Sequence, residues 1–194
     1  MSRPLALLAA LAILTGLAPP AFAQHQQGHA TEAPAARAAA PYAGLETREI
    51  KALSPEQIED LQAGRGMGLA LAAELNGYPG PVHVIELAPR LALSGAQIMA
   101  VEELFTAMKA ETVPLGQQVI AAEAELDRQF REQSVTPTSL TAATGEIASL
   151  QGELRAAHLS YHLRTIEILT PDQVDLYNEL RGYAREPSHD AHAN

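Results

Sequence analysis

The apolar positions of this chain change their period along its length. From Leu5 to Leu17 they form a nearly unbroken run of Leu, Ala and Ile. Residues 24–47 then lose all periodicity. Further on, Ile98, Val101, Phe105, Met108, Thr112, Leu115, Val119, Ala122 and Leu126 recur at alternating steps of three and four. That spacing predicts a coiled-coil seam on a helix from Gly95 to Gln133, roughly 55 Å long at 1.5 Å per residue. Pro114 removes one backbone hydrogen bond inside this rod, and a kink rather than a break is expected because the seam keeps its phase. Leu140, Ala143, Ile147, Leu150, Leu154, Ala157 and Tyr161 form a matching seam on a second long helix, Pro137 to Leu169. The short linker Ser134–Thr136 makes the two antiparallel.

A repeated signal marks where helices begin. Leu53-Ser54-Pro55-Glu56-Gln57 recurs as Leu93-Ser94-Gly95-Ala96-Gln97 and as Leu169-Thr170-Pro171-Asp172-Gln173. Ser or Thr caps a free backbone N–H, and the Gln three residues later reaches back to close a capping box. In two copies Pro takes the first helical position, where an N–H would be orphaned anyway. Leu53 with Ile58, Leu93 with Ile98 and Leu169 with Val174 have the spacing of hydrophobic staples. Val135-Thr136-Pro137 is a weaker fourth start, lacking Gln or Glu at the box position. The first helix is expected from Pro55 to Leu75, loosened by Gly64, Gly66 and Gly68 and stopped at Asn76-Gly77. A short element near Val82–Leu87 follows, and a last helix runs from Pro171 to Ala184. The expected fold is all-α, a four-helix hooked hairpin with two long antiparallel arms. Such a hairpin leaves little volume for a deep pocket. Near the end of the third helix, Leu159, Tyr161, Leu163, Ile166, Ile168 and Leu169 put apolar groups all round. One neighbour cannot cover them, so helices one and four are expected to pack there and a second subunit to complete a homodimer.

Composition narrows the function. There is no cysteine, which excludes disulfides, thiol catalysis and Cys-ligated metal. The charge of −10 and an aromatic content of 4% argue against a phosphate-backbone or base-stacking surface, so no nucleic-acid partner is expected. No nucleophile–base pair, paired-carboxylate motif or phosphate loop is present, so the chain does not read as an enzyme. Residues 1–23 read as a cleaved signal peptide: Arg3, the apolar run, Pro19-Pro20, then Ala21-Phe22-Ala23 before Gln24. The run is too short to span a bilayer, so no membrane insertion of the mature chain is expected. Residues 24–48 read as a disordered Ala/Pro/His linker, 49–184 as the helical domain and 185–194 as a frayed tail.

Metal-ligating chemistry centres on histidine. His158 and His162 are four apart and share one helix face. Leu-Ser-Tyr stands between them, so the general-base Glu of a zinc-protease motif is missing. Arg155 and Thr165 lie on the same face, which therefore reads as polar rather than core. Two readings stay open: a metal site, or two solvated histidines on a helix flank. His83, in Pro81-Val82-His83-Val84-Ile85-Glu86-Leu87, precedes the second helix and lies toward the end to which the third helix returns the other two. Met67, Met99 and Met108 have the spacing of core residues more than of soft ligands. His25, His29, His189 and His192 sit in the flanking segments and read as solvated or as weak metal-capturing groups.

The triple Leu-Ser/Thr-x-x-Gln on an exported helical hairpin resembles the LTxxQ-motif family of periplasmic stress proteins. That family includes Spy/CpxP-like chaperones and ZraP/CnrX-like heavy-metal resistance and sensor proteins. The likeness spans roughly residues 50–183, and its best copy is Leu169-Thr170-Pro171-Asp172-Gln173, with His158 on the preceding helix. The resemblance implies a periplasmic location, a hooked hairpin and a dimer. It implies either binding of a divalent metal (Zn, Ni, Co or Cu) or ATP-independent binding of an unfolded client. Docking on a membrane-anchored regulator is a further implied role. In the metal-sensing relatives the ligands come from the pre-helix segment and from helices two and three. Carried over, that points to His83, His158 and His162, with Glu86, Glu102 or Glu103 completing the shell. This chain departs from the pattern in having His-x-x-Glu before the second helix, and His162 where a thioether can occur.

Overall fold

The computed structural model describes residues 40–183, which form six α-helices and one 3₁₀ turn. The signal peptide, most of the 24–48 linker and the 185–194 tail lie outside the described residues. The end of that linker, Tyr42 to Arg48, forms turns and a 3₁₀ helix at Leu45–Thr47.

Helix α1 (Pro55–Ala63) is followed by two short helices, α2 (Leu71–Glu74) and α3 (Pro81–Glu86). The long arms are α4 (Gly95–Arg131) and α5 (Pro137–Ile166), and α6 (Pro171–Arg181) closes the order. Helices α4 and α5 pack along each other, α1 lies on α4, and α3 touches both arms. Helix α4 runs unbroken through Pro114.

All four expected starts are capped as the sequence requires. Ser54, Ser94 and Thr170 each close a capping box with the Gln three residues on. The fourth start is stronger than its sequence suggested. Ser139 takes the box position: its hydroxyl accepts from the Thr136 N–H at 3.0 Å while its own N–H donates to Thr136 Oγ1 at 3.1 Å. The repeated Gln also has a second task. Gln97 Nε2 donates to Gln173 Oε1 at 2.8 Å and to the Ile168 carbonyl at 2.9 Å, and Gln173 Nε2 donates to the Leu91 carbonyl at 3.3 Å. The two caps are thus locked face to face, which fixes where α6 starts relative to α4.

One expected helix breaks. Helix α1 stops at Gly64 rather than continuing to Leu75, because Gly64 adopts φ +64°, a left-handed conformation that glycine tolerates best. The chain there presses on α4. A Cβ at Gly64 would stand 2.7 Å from Thr112 Oγ1, and one at Gly116 would stand 2.3 Å from the Leu61 carbonyl oxygen. The residues released from the helix curl into α2 and the turns around it.

Three apolar clusters hold these pieces together. Ile50, Leu53, Leu61, Val119 and Leu154 join the N-terminal segment to both arms. Val84, Leu91, Val101, Leu169 and Tyr177 join α3, α4 and α6. Leu104, Met108 and Tyr161 bridge the arms between them. The apolar end of α5 is therefore covered within one chain by α2, α3 and α6, although Leu163 stays exposed.

Candidate metal site

Between α2, α3 and the arms lies a cavity of about 490 Å³. The hairpin alone was expected to leave little volume for a deep pocket; the 64–80 segment, freed from α1, lies over the arms and makes a half-open cavity there. His83, His158 and His162 all line it, together with Glu74.

The face of α5 that carries the histidines is not a solvated flank. His158 is 3% exposed, and His162 and Thr165 are buried with it. Thr165 is accommodated because its hydroxyl donates to the Tyr161 carbonyl at 2.7 Å. Burial disfavours the imidazolium form of His158, and the neighbouring His162 adds to this, so its pKa lies below the ordinary histidine value. A neutral imidazole is the form that ligates metal. His158 Nε2 is buried and has no hydrogen-bond partner among the described residues.

His162 is oriented by the backbone. Its Nδ1 lies 2.7 Å from the Tyr78 carbonyl oxygen, an arrangement in which Nδ1–H donates and Nε2 keeps its lone pair. The ring edge bearing Nε2 rests against Gly80. A Cβ at that position would come within 2.8 Å of Cε1 and 3.0 Å of Nε2. Only a residue without a side chain leaves this nitrogen its space.

His83 has the same polarity. Its Nδ1 stands 3.0 Å from Glu86 Oε2, one helical turn along α3. A carboxylate on Nδ1 fixes the tautomer and leaves Nε2 as the free donor, the usual outer-shell arrangement of a metal-binding histidine. Glu86 thus sits behind His83 and does not line the cavity. Glu102 and Glu103 are not brought to it either. Val101, Leu104 and Met108 form the buried face of α4, and the two glutamates between them turn to solvent. Among the described residues, no three His, Asp or Glu side chains are gathered closely enough to form a ready-made coordination shell.

Glu74 is the acidic group the sequence concealed. It is 6% exposed, whereas Leu71 and Leu75 on the same short helix are 54% and 53% exposed. An amphipathic reading of Leu71-Ala72-Ala73-Glu74-Leu75 puts the carboxylate outside, and the structure inverts it. Glu74 accepts hydrogen bonds from the Tyr177 hydroxyl and, at 3.3 Å, from the Gly80 N–H. Arg181 Nε lies 3.4 Å from Glu74 Oε1, and His162 Nδ1 lies 3.8 Å from Oε2. Burial, followed by the bond to Glu74, pushes the Tyr177 phenol well above its ordinary pKa. The one signal for this network was the i, i+4 placement of Tyr177 and Arg181 on α6, which is common on any helix.

A family model described as heavy-metal resistance matches residues 67–175, more than half of the chain, from within the cavity roof to the first turn of α6. The chain belongs to the heavy-metal resistance family. No curated protein and no solved structure matches it. None of the helices among the described residues is long and apolar enough to cross a membrane.

Proposed function

We propose that this protein binds a divalent transition metal, Zn, Ni, Co or Cu, in the cavity at the base of its hairpin, through Nε2 of His83 and His162 and an imidazole nitrogen of His158. In this reading it is a periplasmic, non-enzymatic sensor or buffer of heavy metal, exported by the segment 1–23 and acting as a homodimer. The observation that carries the reading is the presetting of His83 and His162. In each, Nδ1 is tied to an oxygen and Nε2 is left free, and both rings line one cavity with a His158 kept neutral by burial. The donors fit an ion that prefers imidazole. The rings share a wall without forming a closed shell, so loading requires His83 to move with α3 toward α5. Glu86 orients His83 from behind. The exposed Leu71, Leu75 and Tyr78 supply an apolar patch for a second subunit.

Calorimetric titration of the full chain with Zn(II), Ni(II), Co(II) and Cu(II) tests this. His158→Ala/His162→Ala is expected to lose at least about a hundredfold in affinity, and Glu86→Gln about tenfold as an outer-shell change. Unchanged affinity in the double variant overturns the site. The same exposed patch, with Leu163, favours a second reading: ATP-independent chaperoning of unfolded clients, or docking on a membrane-anchored regulator. Chaperoning requires that the metal-free protein suppress aggregation of an unfolded client at substoichiometric amounts. No suppression at several-fold excess removes it.

A further inference from the structure

The cavity contains donors that the histidine reading does not use. Two thioethers line it, Met67 from the roof and Met108 from α4. We propose that the site takes a soft monovalent d¹⁰ ion, Cu(I), held by the sulfurs of Met67 and Met108 together with the imidazoles of His158 and His162. This inference rests on the cavity being a metal site and names a second class of ion that its thioethers admit beside the divalent one.

Charge is the first argument. Arg65, Lys109 and Arg181 line the cavity, against Glu74 as its carboxylate, and Arg65 is paired with Glu59 and Asp60. Glu74 is already committed to Tyr177, Gly80 and Arg181. The donors left are imidazoles and thioethers. Coulomb repulsion from the cationic lining side chains scales with the charge of the ion, so a +1 ion enters at half the cost of a +2 ion. Imidazole serves divalent ions and Cu(I) alike, whereas thioether adds affinity for Cu(I) and little for a harder divalent ion.

The setting of Met67 is the second argument. It is 40% exposed and belongs to none of the apolar clusters, so it is not a core filler. Its backbone adopts φ +42°, a left-handed conformation that costs a side-chain-bearing residue energy. Ala92 and Gln133 share that conformation, Ala92 in the turn before α4 and Gln133 just past its end. Met67 stands between Gly66 and Gly68. Gly66 lies on the His158 ring, where a Cβ would be 3.8 Å from Nδ1. The next α-carbon, that of Met67, is about 3.8 Å further along the chain. The turn therefore sets Met67 next in the chain to the glycine that lies on the His158 ring, and its side chain lines the same cavity. Met99 provides an internal contrast: it is 66% exposed on α4 and does not line the cavity.

The test titrates the full chain with Ag(I), a redox-inert counterpart of Cu(I), against a competing chelator. Ni(II) is titrated in parallel. The variants are Met67→Leu, Met67→Leu/Met108→Leu and, as control, Met99→Leu. Leu nearly conserves volume, and the exposed position 67 keeps the single variant independent of core packing. The expected result is a loss of at least about tenfold in Ag(I) affinity for Met67→Leu and more for the double variant. Ni(II) affinity and the Met99→Leu control should be unchanged. X-ray absorption of the Cu(I)-loaded protein should show sulfur neighbours that disappear in the double variant. Unchanged Ag(I) affinity in the Met67 variants beside intact Ni(II) binding overturns the thioether assignment and leaves the imidazole site standing. Failure of the unmodified chain to bind either ion overturns both.

Discussion

The two ends of the long hairpin share a helix type and differ in what surrounds it. At the base, α1, α2, α3 and α6 pack on the arms, and every buried residue of α4 and α5 lies between Val101 and Val119 or between Ile147 and Thr165. From Ile120 to Glu146 no residue is buried. There the arms have each other, the N-terminal segment at Ile50 and Lys51 over the first turns, and ion pairs, Arg128 with Glu125 at the surface and Arg131 with the half-buried Asp127. The contrast teaches where chemistry can be built. A cavity with oriented imidazoles needs side chains withdrawn from water, and the base alone withdraws them. The same geometry that shelters the histidines also gives the base its stability.

Truncation of a buried leucine should separate the ends most sharply. Leu154→Ala is expected to cost about 2–5 kcal/mol in urea denaturation, and Leu126→Ala, half-buried near the tip, less than about 1 kcal/mol. Equal costs would mean that the tip is as well packed as the base. Glycine gives the same contrast with a change of sign. Gly116→Ala drives a methyl group into the Leu61 carbonyl and is expected to destabilise by about 2–3 kcal/mol. Gly145→Ala, with open space around it on α5, should stabilise by about 0.5–1 kcal/mol. Glu74→Ala, which strips Tyr177 and Arg181 of their buried partner, should cost about 1–3 kcal/mol.

The effect of pH is smaller. The folded-state pKa of His158 lies below the unfolded value, so the unfolded chain binds a proton first as pH falls. Its contribution is fully present above about pH 6.5 and is lost as pH drops through that value toward the folded pKa. Denaturation midpoints measured from pH 7.5 to 5 should fall for the native chain and flatten for His158→Gln. An equal slope in both places the titrating group elsewhere. The least change is expected from Arg128→Ala at the tip, visible at low ionic strength and gone in high salt.

The frame was largely legible from the sequence because helix starts are local. Ser54, Ser94 and Thr170 announce themselves by cap, Gln and staple, and the two seams follow from a period that no tertiary contact has to supply. Gly64 was legible as a weak point but not as the end of α1, because the chain there presses on α4: Gly64 meets Thr112, 48 positions away, and Leu61 meets Gly116, 55 positions away. The site divides along the same line. His83, His158 and His162 stood out by residue type and spacing. The burial of α5's histidine face did not, since it depends on a roof formed by the residues that left α1. Glu74 was hidden by a local pattern that points the wrong way. Glu102 and Glu103 looked available because α4's buried face, set by Val101, Leu104 and Met108, becomes apparent once α3 and α5 are in place.

The most direct measurement is X-ray absorption on the Zn(II)-loaded full chain, counting imidazole neighbours before and after His83→Ala. The account predicts three imidazoles falling to two, because His83 and the α5 pair close on one ion across the cavity. A count that does not change when His83 is removed would contradict it.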